Sequence, residues 1–282
     1  MTDDHAADPD AAARALLERA MQQLRTRQWG AAAALLQQLL DRVPDQPAAL
    51  QLLGVAAFES GRADEAVRLM QRAIAAAPEY VDAHYNLANV FLHQGRLPEA
   101  EAGFRRVLNL DPLHFGAQLN LSGTLSRMGR LPESLAACRS ALDLDARHPM
   151  AHTNYANLLK DAGRTAEAIG HYQKALAINP ASADAHNNLG LLYRDHGQLE
   201  AAVQAIERAM TLDRGNPQYR INLHDTYRRM IPGWHFAMLN DRARNDAFER
   251  AIAKAAPGRR LALDIGTGSG LLAMMAARAG VA

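Results

Sequence analysis

One segment of this chain returns again and again at a shift of 34 residues, and that regularity limits the fold more than any other feature. GRLPEAEAGFRRVLNLDP (95–112) comes back as GRLPESLAACRSALDLDA (129–146), GRTAEAIGHYQKALAINP (163–180) and GQLEAAVQAIERAMTLDR (197–214). Counting backwards gives GRADEAVRLMQRAIAAAP (61–78) and a worn copy, RQWGAAAALLQQLLDRVP, ending at Pro44. Six blocks fit: 13–46, 47–80, 81–114, 115–148, 149–182 and 183–216. A unit this short cannot bury its apolar face alone, whereas stacked units share a continuous core.

Each block reads as two helices. Apolar residues such as Leu87, Val90 and Phe91 fall at helical spacing in the first. A turn follows at Gly61, Gly95, Gly129, Gly163 and Gly197, where glycine suits the left-handed conformation that ends a helix. The second helix carries a small residue on its inner face (Ala66, Ala100, Ser134, Ala168, Ala202), which lets the two helices approach closely. Pro44, Pro78, Pro112 and Pro180 stop the second helix, while Ala146 and Arg214 break that rule, so looser turns are expected at those two places.

Composition agrees with close-packed helices: 49% of residues are hydrophobic but only 5% aromatic, and much of the remainder is alanine. The formal net charge of +1 argues against a globally basic nucleic-acid binder. Ten basic against five acidic residues in 217–282 give +5, and 21 against 25 in 1–216 give −4, so the sign changes where the period ends. A single cysteine, Cys138, excludes a disulfide framework. No apolar run is long enough for a membrane span, and the acidic N-terminus lacks a secretory h-region, so the expectation is a cytoplasmic protein with a disordered acidic segment over 1–12.

The period, with Leu-Gly or Leu-Ala in the first helix, Ala and an aromatic in the second and Pro at the end, resembles the tetratricopeptide repeat over 13–216. The resemblance implies an all-α solenoid, a right-handed superhelix of helical hairpins, with 217–230 as a capping helix. It also implies a binding groove. Asn86, Asn120, Asn154, Asn188 and Asn222 stand 34 apart at the sixth position of successive first helices, a position that faces the concave groove in that family. Each carboxamide offers one acceptor and two donors, which suits the main chain of an extended peptide or protein partner. The alternative is that these groups stabilise neighbouring repeats or meet water. Asn89 and Asn157, three residues further on, would widen the polar strip.

His84, His152 and His186 recur at equivalent places, too far apart to share a metal ion, and read as a half-buried packing position. Cys138 stands where Phe104 and Tyr172 stand in other blocks and reads as a buried small hydrophobe.

After Met230 the sequence changes class. WHFAMLNDRARNDAFERAIAKAA reads as an amphipathic helix, LALDI (261–265) as a buried strand, GTGSG (266–270) as a turn and LLAMMAARAG (271–280) as a helix. Glycines at such a turn let backbone amides approach a ligand without Cβ clashes. D-I-G-T-G-S-G resembles the first motif of class I S-adenosylmethionine-dependent methyltransferases. With the upstream His235, Met238-Leu239, Asp241, Arg244 and Phe248, the stretch resembles the start of a protein arginine methyltransferase domain.

That resemblance implies a Rossmann-like α/β domain begun over 231–282. It implies S-adenosyl-L-methionine contacts from His235, Met238, Arg244, Asp264, Gly266 and Gly268, with Arg244 on the cofactor carboxylate. No residue in the chain matches the family's substrate-holding glutamates, so no catalytic residue is named. A single strand cannot complete a doubly wound sheet, so the chain by itself is expected to be catalytically silent and to bind the cofactor poorly. The expected function is a peptide-recruiting arm for an arginine methyltransferase. The alternatives are a non-enzymatic scaffold and a methyltransferase for another substrate.

Overall fold

The computed structural model describes residues 9–230, with single positions at 246, 250 and 254. Every element among the described residues is an α-helix: α1 (Pro9–Arg25), α2 (Trp29–Arg42), α3 (Pro47–Glu59), α4 (Ala63–Ala76), α5 (Val81–His93), α6 (Leu97–Leu110), α7 (Phe115–Arg127), α8 (Leu131–Leu144), α9 (Pro149–Asp161), α10 (Thr165–Ile178), α11 (Ala183–Asp195), α12 (Leu199–Leu212) and α13 (Pro217–Met230). The first helix starts at Pro9, ahead of the first sequence block. The strand expected over 261–265 and the helix over 271–280 lie outside the described residues. The chain divides into two compact units, Met1–Ala185 and His186–Ala282.

Two kinds of turn alternate, and each has its own local cause. Between the helices of a hairpin, Gly61, Gly95, Gly129, Gly163 and Gly197 adopt φ of 73–79°. The next amide then reaches back five residues: Arg62 to Ala57, Arg96 to Phe91, Arg130 to Leu125, Arg164 to Leu159 and Gln198 to Tyr193, at 2.8–2.9 Å. These bonds satisfy carbonyls that the helix end would otherwise leave open. The worn first repeat places Arg27 at this position, and Arg27 takes the left-handed conformation at φ 57° without glycine's freedom.

Between hairpins, the side chain of Asp111, Asp145, Asn179 or Asp213 accepts from the amide two residues on, at 2.9–3.1 Å. The two proline-free turns, with Ala146 and Arg214, carry the same bond as the turns at Pro112 and Pro180. The looser geometry expected there is therefore not seen, because the acidic or amide side chain closes the turn by itself.

Packing follows the period. The third residue of the first helix is a fully buried alanine at 49, 83, 117, 151 and 185. The inner position of the second helix is fully buried at Ala66, Ala100, Ser134, Ala168 and Ala202. In the fourth repeat two serines replace the usual apolar contact. Ser122 Oγ donates to the Ser134 carbonyl at 2.9 Å, and Ser134 Oγ donates to the Ser122 carbonyl at 2.8 Å. Both hydroxyls are buried and both are satisfied, which is what such a substitution needs. In the first unit Met70, Phe104, Cys138 and Tyr172 are buried 34 residues apart, and Ile206 takes the same repeat position, also buried, in the second.

In the first unit the first helices of successive hairpins meet directly: α1 with α3, α3 with α5, α5 with α7, and α7 with α9. No two second helices of that unit meet to the same extent. The first helices therefore form the inner side of the curved stack.

Candidate functional site

The inner wall of the first unit is made by the exposed faces of α3, α5, α7 and α9, and the asparagines on it are not equivalent. Asn120 on α7 donates to the Tyr85 hydroxyl at 3.1 Å and to Asn89 Oδ1 at 2.7 Å, both on α5. Its two amide hydrogens are thus used to tie adjacent repeats together. Asn86 and Asn154 make no side-chain hydrogen bond among the described residues, and both are half-buried on the same wall. The difference lies in the residue that each faces. Asn120 meets the fifth residue of the preceding first helix, which is Tyr85, whereas Asn154 follows a repeat with Leu119 at that place, which offers no acceptor.

The second unit shows the same tie once. Asn222 on α13 donates to Asn187 Oδ1 on α11 at 2.8 Å and accepts from Gln218 at 3.0 Å. It is 7% exposed, so it is a packed structural group rather than part of an open wall. Asn188 is half-buried and accepts a long 3.5 Å contact from Asn187. Of the polar strip's outer pair, Asn89 is engaged by Asn120, and Asn157 accepts from the Tyr172 hydroxyl. The two tied asparagines each meet the fifth residue of the preceding first helix, Tyr85 for Asn120 and Asn187 for Asn222, but a polar residue there does not suffice, since Gln51 at the equivalent place leaves Asn86 untied.

Between α7 and α9 the wall opens into a cleft of about 180 Å³ lined by Ser122, Gly123, Ser126, Asn154, Asn157 and Leu158. No charged side chain lines it. Charge is concentrated elsewhere in this unit. Arg62–Glu65, Arg96–Glu99, Arg130–Glu133 and Arg164–Glu167 repeat an ion pair at the start of the second helices. Arg130 also reaches Glu101 at 2.6 Å, and Arg105 reaches Glu133 at 3.3 Å, joining α6 to α8. Burial raises the Glu101 carboxyl, but the hydrogen bonds from Arg105 and Arg130 outweigh it and hold it below its ordinary value.

The recurring histidines have a defined task. His84 Nε2 meets the Pro78 carbonyl at 2.9 Å, and His152 Nε2 meets the Ala146 carbonyl at 3.0 Å, each pinning the turn before its own helix. His114 and His148 instead accept from the amides of Ala117 and Ala151, capping α7 and α9. With Nε2 donating, His152 Nδ1 is left to accept from His171 Nδ1 at 3.0 Å. Burial pushes His171 down to about 4, assisted by Lys174 and His152 and opposed by Glu167. Cys138 is fully buried, and burial pushes its thiol up to about 11 against a hydrogen bond with Ser122. It is a core residue and not a nucleophile.

Among the described residues no group of three or more His, Cys, Asp or Glu is placed to hold a metal ion. No helix among them is long and apolar enough to cross a membrane. His235, Met238, Arg244, Asp264, Gly266 and Gly268, the residues assigned to S-adenosyl-L-methionine, lie outside the described residues.

Comparison with known proteins agrees with the repeat architecture. Family models described as tetratricopeptide repeats match residues 17–80, 52–114 and 183–216, and one described as a TPR repeat matches 156–197. The solved structure titled as a functional characterisation of Pseudomonas aeruginosa pilF superposes with a TM-score of 0.69 at 17% identity, covering 77% of this chain and 98% of that one. YrrB, whose title describes a TPR protein with an unusual peptide-binding site, superposes with a TM-score of 0.57 at 17% identity, covering 68% and 97%. Identities at this level show the fold alone.

Shorter stretches resemble enzymes. The chain is 60% identical over 53 residues to an arginine N(omega)-methyltransferase of Streptomyces achromogenes subsp. streptozoticus, covering 19% of this chain and 15% of that protein. It is 45% identical over 69 residues to protein arginine N-methyltransferase 9 of Mus musculus, covering 23% and 8%. The chain therefore spans only a small part of these relatives' length.

Proposed function

The chain belongs to the tetratricopeptide-repeat family, and on that premise we propose that its first unit grips an extended polypeptide and presents it to a methyltransferase domain that uses S-adenosyl-L-methionine. The observation that carries the binding half is the pair Asn86 and Asn154. Their carboxamides stand on the inner wall with no partner of their own, whereas the equivalent Asn120 is already paired with Tyr85 and Asn89. A carboxamide offers a donor and an acceptor to the N–H and C=O of an extended backbone, without regard to its side chains. Asn120 and Asn222, both named with them in the sequence, hold repeats together in this reading. Asn188 keeps a place in the proposed contact set of the second unit.

The methyl-transfer half is supported by D-I-G-T-G-S-G and the partial likeness to arginine methyltransferases. Bound S-adenosyl-L-methionine would supply the methyl group. Arg244 would hold a carboxylate through two parallel donors, and Met238 and His235 would pack beside the cofactor. Asp264 would end the strand, and Gly266 and Gly268 would let the turn approach the ligand. The proposed acceptor is an arginine side chain of the recruited polypeptide.

The test uses nonapeptides selected from a random bead-displayed library against the full chain. Asn86→Ala combined with Asn154→Ala is expected to weaken those peptides at least tenfold with an unchanged helical circular dichroism spectrum. Unchanged affinity would remove the asparagines from the reading. Methylation of a selected peptide by the whole protein, lost on Arg244→Ala, is required by the enzymatic half. Binding without any methylation would favour a scaffold.

A further inference from the structure

The geometry points to a side-chain pocket at Gly123 that takes a carboxamide, from Asn or Gln, of the bound polypeptide. This inference rests on the peptide-binding reading above and adds a sequence preference to it. Gly123 is the ninth residue of its first helix, the position occupied by Asn89 in the repeat before and Asn157 in the repeat after. Losing a side chain there leaves the 180 Å³ cleft between α7 and α9. A Cβ built on Gly123 meets nothing within 4 Å, so the gap is not there to relieve a packing clash. Glycine also costs roughly 0.5–1 kcal/mol in a helix interior, so its presence here calls for a reason beyond the fold.

The lining specifies the occupant. Asn154 brings one acceptor and two donors, and the Ser126 hydroxyl brings one donor and two lone pairs. Neither makes a side-chain hydrogen bond among the described residues. Leu158 adds an apolar wall, and Asn157 is fixed through the Tyr172 hydroxyl. A carboxamide presents the same mixture of donors and acceptors in return. An apolar side chain would displace the cleft's water without replacing its hydrogen bonds. A carboxylate or ammonium would enter with no opposite charge in the lining. The adjoining charges are engaged elsewhere: Arg127 donates to the Leu92 carbonyl at 3.0 Å, and the Lys160 ammonium lies 3.9 Å from Asp161.

The random nonapeptide library is sorted separately against the wild-type chain, Gly123→Ala and Gly123→Leu. Wild type is expected to enrich Asn or Gln at one fixed position, and replacing that residue by Leu or Asp should weaken a selected peptide at least tenfold. Gly123→Leu projects into open space and improves helix propensity, so its melting temperature should hold or rise while the carboxamide preference disappears. Gly123→Ala should rise in stability and keep the preference. Enrichment of another residue class at that position, no positional preference, or a preference that survives Gly123→Leu overturns the pocket and leaves the peptide groove standing. Failure to enrich any binder overturns the groove and the pocket together.

Discussion

Asn120→Ala and Asn154→Ala change the same residue type at equivalent positions one repeat apart, yet opposite effects on stability are expected. Asn120 loses two inter-repeat hydrogen bonds, at 3.1 Å to Tyr85 and 2.7 Å to Asn89. Each is worth about 1 kcal/mol net, giving about 2 kcal/mol. Tyr85 and Asn89 are half-buried and can rehydrate, so no large penalty for stranded polar groups is added. The better helix propensity of alanine returns roughly 0.5 kcal/mol, leaving a loss of about 1.5 kcal/mol. For a unit of this size that corresponds to a fall in melting temperature of about 3–6 °C. Asn154→Ala loses no internal partner and keeps only the propensity gain, a rise of about 1–2 °C. Thermal and urea unfolding followed by far-ultraviolet circular dichroism reads both. Equal shifts in the two variants would refute the division of the asparagines into tied and free.

Further outcomes follow from the same geometry. His171 has a folded-state value depressed to about 4, below its ordinary 6.5, so its contribution is complete above pH 6.5 and is lost as pH falls towards 4; His171→Gln should flatten that part of the stability–pH curve in urea titrations. Ser134→Ala should cost about 1 kcal/mol by removing one bond of the serine pair, whereas Ser122→Ala with Ser134→Ala restores the apolar contact of other repeats and should cost less than the sum of the single changes in a double-mutant cycle. Arg27→Gly should stabilise the first hairpin by about 1 kcal/mol by relieving the left-handed backbone, seen as slower amide exchange in α1 and α2.

What the sequence revealed depended on how local each cause is. A glycine at φ 73–79° has few substitutes, so the hairpin turns could be read directly from Gly61 to Gly197. Proline is not what closes the turns that follow α6, α8, α10 and α12. The side chains of Asp111, Asp145, Asn179 and Asp213 close them, and those residues were visible at the same period. The five asparagines looked alike because periodicity reports only position. Their roles depend on a partner one repeat away, Tyr85 for Asn120 and Asn187 for Asn222, so they emerge only when repeats are read in pairs. The spacing of the histidines marks them only as packing positions, because a hydrogen bond to a turn carbonyl leaves no trace in the period. The cleft at Gly123 shows no motif. Its signal is a missing side chain where the flanking repeats have asparagine.

The most direct measurement is the side-chain NH₂ resonances of Asn86, Asn120 and Asn154 in a ¹⁵N-labelled chain titrated with a selected nonapeptide. Asn86 and Asn154 should shift and slow their hydrogen exchange as the peptide binds, while Asn120, held by Tyr85 and Asn89, stays where it is. A peptide that saturates the protein and leaves Asn86 and Asn154 unmoved would contradict a carboxamide-lined groove.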